Sequence, residues 1–145
     1  MMIGSSAVID ASFTFKTVVP NPLQERHRSV IRTLMGDGSQ LVAPTLWTYE
    51  TTSALTKAVY FEQLTLGDAQ QALRDAAALG VRLVPPDDSR TLRALDWTVR
   101  LRRVAAYDSF YLALAEATEC DLWTGDRRLR NAVNLPWIRM VDDDA

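Results

Sequence analysis

Cysteine is almost missing from this 145-residue chain: Cys120 stands alone, which excludes an intrachain disulfide and a cysteine-rich metal site. Histidine is equally scarce, with His27 the sole example, so no imidazole–thiolate cluster exists to hold zinc. No stretch approaches the 18 apolar residues of a membrane-crossing helix. The first residues lack the basic segment and apolar run of a secretory leader. A soluble cytoplasmic protein without membrane contact is therefore expected. Strong net charge is absent too, at −2 with a pI near 5.3, so the surface as a whole does not advertise a polyanion partner. Linkers, repeats and low-complexity segments are all lacking. What the chain does have is 48% hydrophobic residues, enough for one domain, residues 1–145, with a sizeable core. Residues 142–145 read as a solvated acidic tail.

The basic residues are unevenly placed. Eight of sixteen (Arg90, Arg93, Arg100, Arg102, Arg103, Arg127, Arg128 and Arg130) fall between positions 90 and 130. Short apolar runs closed by an acid, a proline or a glycine alternate with longer amphipathic segments. Ser6–Asp10, Leu41–Ala43, Val81–Val84, Leu122–Thr124 and Ile138–Val141 read as strands. Between them, helices are expected over Phe13–Val19, from an Asn21–Pro22 start to Met35, over Thr45–Glu62, and from a Thr65-Leu-Gly-Asp68 cap to Leu79. Further helices follow Asp87, with Leu92, Leu95 and Val99 on one face, then Asp108, and then Asp126. This alternation implies an α/β domain with about five parallel strands and helices on both faces. In such sheets ligands bind beyond the carboxyl ends of the strands, where Asp10 and Asp126 are placed.

Four acids stand out. Asp10, Asp108 and Asp126 could each simply cap the helix that follows, a role Asp fills well. Glu50 has no capping role: it lies mid-helix on a stripe with Leu46 and Ala54, and the plain alternative is that it reaches water near Lys57. Together, four carboxylates in one cleft repel, so some stay protonated or a cation binds. Hard divalent ions with oxygen ligands suit such a cluster.

The blocks Val8-Ile-Asp10-Ala-Ser, Pro44 with Glu50, Tyr107-Asp108-Ser-Phe-Tyr-Leu-Ala-Leu-Ala-Glu116 and Leu122-Trp-Thr-Gly-Asp126-Arg-Arg-Leu together resemble the PIN-domain nucleases, above all the VapC toxins of toxin–antitoxin pairs. The resemblance spans nearly the whole chain; residues 63–103 carry no motif. It implies that Asp10, Glu50, Asp108 and Asp126 form the metal-binding and catalytic quartet and that Thr124 orients it. It also implies Mg²⁺ or Mn²⁺ dependence, cleavage of single-stranded RNA, a homodimer, and a cognate antitoxin protein that fills the cleft. Arg127, Arg128 and Arg130, directly after the last acid, are candidates to hold RNA phosphates. Arg100, Arg102 and Arg103 read better as cations ending a helix, the four tryptophans as packing residues, and His27 as an exposed residue between two arginines. Two alternatives stay open. One is an idle PIN-like module that binds an antitoxin or RNA. The other is a phosphotransfer protein with Asp10 as acceptor, though Ser12 stands where a second acid would be wanted.

Overall fold

The computed structural model of the chain describes residues 5–141. Five parallel strands, β1 (Ser6–Ile9), β2 (Gln40–Pro44), β3 (Arg82–Val84), β4 (Leu122–Trp123) and β5 (Ile138–Arg139), make one sheet in the order β3-β2-β1-β4-β5. The helices are α1 (Ala11–Val18), α2 (Gln24–Gly36), α3 (Leu46–Tyr60), α4 (Leu66–Ala78), α5 (Asp88–Arg100), α6 (Tyr107–Thr118) and α7 (Arg127–Val133). The expected α/β architecture is present.

Side chains alternate across the central strands, as the pleat requires. Ala7, Ile9, Leu41 and Trp123 join Phe13 of α1 and Ile31 of α2 in one apolar cluster. Val8, Val42 and Leu122 join Tyr111, Leu112, Leu114 and Ala115 of α6 in the other. Helices therefore cover both faces, and α6 is apolar nearly all round because Tyr111 to Ala115 are all buried. Residue pairing such as Val8 with Val42 on one side and Leu122 on the other makes β1 the centre of the sheet. From β1 the chain winds outward to β2 and β3, then returns to add β4 and β5 on the opposite edge. The β1–β4 boundary is thus the point where the winding reverses, the place beyond the strand ends at which sheets of this kind bind ligands.

Three expectations are corrected. Asn21 does not cap α2 directly; its side chain accepts from Leu23 N–H at 2.9 Å and α2 begins at Gln24. His27 is not exposed: it is 1% accessible, packs on Phe13 with ring centroids 4.8 Å apart, and its Nδ1 donates to the Leu23 carbonyl at 2.7 Å. An amphipathic helix buries one face whatever its sequence neighbours carry, and His27 shares that face with Ile31 four residues on. Leu92, Leu95 and Val99 share one face of α5 as expected, and that face is the outer one. They are 57–69% exposed, while Ala94, Trp97 and Thr98 are buried. Small and aromatic residues fit closer to α6 than the leucines do. Asp108 does not cap α6, whose N-cap is Ala106. The acidic tail falls outside the described residues. Trp47, Trp97 and Trp123 are buried, as packing residues should be.

Candidate functional site

Asp10 follows β1 directly and does cap α1, accepting from Phe13 N–H at 2.8 Å and from the Ser12 hydroxyl at 2.7 Å. Capping accounts for one face of the carboxylate but not for its burial at 5% exposure. Burial lifts its pKa from 3.8 to about 6, although the Thr124 hydroxyl, the Phe13 N–H and the Ser12 hydroxyl pull the other way; the charge of Asp108 adds to the rise.

Thr124, also buried, sits just past β4. Its hydroxyl accepts from Asp126 N–H at 3.0 Å and lies 3.3 Å from the Ser12 hydroxyl, which in turn accepts from Gly125 N–H at 2.9 Å. A hydroxyl chain thereby stitches the end of β4 to the start of α1. Glycine is required in this stitch, because a Cβ on Gly125 would lie 2.9 Å from the Ser12 carbonyl oxygen. Asp126 caps α7, accepting from Arg128 N–H at 2.9 Å and Leu129 N–H at 3.2 Å.

Glu50 reaches over from α3. The Tyr111 hydroxyl donates to it at 2.7 Å, a partner the expected solvent-facing alternative lacked, while Lys57 lines a different hollow with Ser12, Lys16 and Phe61. Burial raises the Glu50 pKa, the Tyr111 bond opposes this, and the charges of Asp108 and Asp10 raise it further. Tyr111 itself is held protonated by burial and by the Glu50 charge.

Asp108 lies in the first turn of α6. Burial raises its pKa and Asp126 adds to the rise, while Arg103, 3.2 Å away, lowers it. A cleft of about 690 Å³ opens here, with Glu50, Asp108, Arg102, Arg103, Tyr107 and Arg128 among its walls. Of the three arginines after Asp126, Arg128 lines this cleft. Arg130 lines a separate hollow with Asn134 and Met140, and Arg127 is exposed.

The four acids thus form one electrostatic group: Asp108 acts on both Asp10 and Glu50, and Asp126 acts on Asp108. They are not drawn into a closed cage, since among the described residues no three acidic, imidazole or thiol side chains gather tightly enough to enclose a metal ion. Each acid instead has its own partner: two amides for Asp126, an amide and hydroxyls for Asp10, Tyr111 for Glu50 and Arg103 for Asp108. The donor set still suits a hard divalent cation, being all carboxylate and hydroxyl oxygen, with three members whose negative form burial disfavours.

Sequence reasoning missed three residues. Ser12 is the hydroxyl node, and its place two residues into the turn after Asp10 was a usable signal. Tyr111 lies three residues after Asp108 and so on the same helical face. Arg103 was read as a helix-end cation rather than as a cleft residue.

The PIN domain family profile matches residues 7–135. Ribonuclease VapC1 of Mycobacterium tuberculosis, in two strains, is 37% identical over 95 residues, which is 65% of this chain and 68% of that one. Two crystal structures share the fold. The Mycobacterium tuberculosis sarcin-ricin loop cleaving toxin VapC20 has a TM-score of 0.65 at 15% identity, over 92% of this chain and 98% of that chain. PAE2754 from Pyrobaculum aerophilum has a TM-score of 0.69 at 18% identity, over 97% and 94% of the two chains. With a matched profile over most of its length and a VapC ribonuclease among its relatives, the chain belongs to the PIN-domain family.

Proposed function

We propose that this protein is a divalent-metal-dependent endoribonuclease, the toxin of a toxin–antitoxin pair, acting on RNA in the cytoplasm. The observation that carries the proposal is the placement of Asp10 and Asp126 just past β1 and β4, with Glu50 and Asp108 on the wall of one cleft. The 37% identity to a VapC ribonuclease supports the substrate class.

In this reading Asp10, Asp108 and Asp126 would hold a Mg²⁺ or Mn²⁺ ion, and Thr124 with Ser12 fixes the orientation of Asp10. A hard divalent ion there supplies positive charge to the phosphate oxygens and makes water more acidic. Glu50, held in position by the Tyr111 hydroxyl at 2.7 Å, is the residue that takes the proton of the attacking water. Arg128 and Arg102, on the cleft wall, attract the flanking phosphates. Partners are supported by two exposed apolar surfaces, the Leu92–Leu95–Val99 face of α5 and a groove between α3 and α4 lined by Val59, Leu66 and Leu73. A homodimer contact and an antitoxin segment would cover such area.

The test is RNA cleavage with Mn²⁺ by purified wild type, Asp10→Asn and Asp108→Asn. Wild type is expected to cut single-stranded RNA, and each variant to cut at least about 100-fold more slowly with an unchanged circular dichroism spectrum. Equal cutting by all three, or none by wild type, would sink the proposal and leave a binding module.

A further inference from the structure

Arg103 is a cleft residue whose backbone is pinned by the end of α5 and whose side chain pairs with Asp108. Helix α5 ends in a paired C-terminal motif: Arg102 N–H donates to Val99 O and Arg103 N–H to Thr98 O, both at 3.1 Å, with Arg102 in the left-handed region at φ 55°. Thr98 is itself tied to α6 by the bond from its hydroxyl to that of Ser109 at 2.8 Å. The backbone of Arg103 is thus anchored to both helices, and the guanidinium Nη1 meets Asp108 Oδ2 at 3.2 Å, with the two side chains 28% and 35% exposed. Among the described residues, the hydrogen bonds to Asp10 and Glu50 come instead from neutral donors.

We propose that Arg103 is a built-in counter-cation, holding Asp108 in the metal-free site and competing with a divalent ion for that carboxylate. Resting on the metal-dependent reading above, this gives the arginine two positions. While Asp108 lacks a metal, the guanidinium neutralises it and keeps the acids from repelling one another. Once Asp108 serves a divalent ion, the two cations repel, and Arg103 turns to the cleft, where a substrate phosphate is the available anion. The long side chain can move because the anchor is in the backbone.

The experiment is titration calorimetry of Mn²⁺ into wild type, Arg103→Gln, Arg103→Lys and Arg128→Gln, without RNA. Removing a competing, partly exposed ion pair is expected to tighten Mn²⁺ binding about 2- to 5-fold in Arg103→Gln, less in Arg103→Lys, and little in Arg128→Gln, whose side chain shares the cleft. Affinity of Arg103→Gln for a non-cleavable single-stranded RNA in the presence of Mn²⁺ is expected to fall by a similar factor. Mn²⁺ affinity unchanged or weakened in Arg103→Gln, with wild type binding normally, overturns the inference alone. If wild type takes up no Mn²⁺, the metal-dependent reading falls, and this inference with it. Should Arg103→Gln not fold, Arg103→Lys decides: affinity at or below wild type overturns the proposal.

Discussion

Asp10 shows how one side chain can serve the fold and oppose it. Its oxygens cap α1, yet its charge sits where water is excluded, and burial holds its pKa near 6 rather than 3.8. An acid with a raised folded-state pKa keeps its proton longer folded than unfolded. Its stabilising contribution is complete below pH 3.8 and is lost as pH rises through about 6. At about 1.4 kcal/mol per pH unit, the charged form costs about 3 kcal/mol at neutral pH. Asp10→Asn keeps an oxygen for the Phe13 and Ser12 donors and removes the charge. In chelator at pH 7 this variant is expected to melt several degrees above wild type, with the gap closing near pH 4. A lower melting temperature at pH 7 would mean that the carboxylate is needed as a cap more than its burial harms it.

Elements here are joined by their ends. Asp10 closes β1 and opens α1, Thr124 and Gly125 lead β4 into α7, and the last turn of α5 sets Arg103 against the first turn of α6. Most of these junctions were legible from residue type, because capping is a local interaction between neighbours a few residues apart. Thr65 and Asp87 cap α4 and α5 as the sequence suggested, each through a bond to the amide three residues on. The left-handed residue after α5 was not legible, since arginine gives no sign of it. Glycine takes that conformation without strain, so Arg102→Gly is expected to raise stability by about 0.5–1 kcal/mol in denaturant titration. It also removes one cleft cation, and RNA affinity should drop while stability rises. A loss of stability would show that the Arg102 side chain, rather than its backbone, supports the turn.

At the scale of the whole molecule, the reversal of winding at β1 is what makes a site. Two central strands, β1 and β4, end side by side, which brings Asp10 and Asp126 to the same edge of the sheet although they stand far apart in the chain. The same packing leaves apolar surface uncovered. Leu92, Leu95 and Val99 form a stripe at helical spacing on the outer side of α5, and such a patch on a protein of this size favours association. Leu95→Glu is expected to shift a wild-type dimer to monomer in sedimentation equilibrium, raising the dimer dissociation constant at least about tenfold. An unchanged dimer would move the interface elsewhere, and a wild-type monomer would leave this face for another partner.

Sequence alone determined the order of strands and helices, the acids that end them and the hydroxyl and glycine beside Asp126. These follow from periodicity and capping, which act over a few residues and leave their mark in residue type. Only the tertiary structure decided which side of α5 faces inward, that His27 is buried against Phe13, and that Tyr111 meets Glu50 across 61 positions of chain. It also decided that Arg103 holds Asp108. Each of these depends on how helices settle against the sheet and one another, and that is fixed by shape and volume summed over the core rather than by any neighbouring residue.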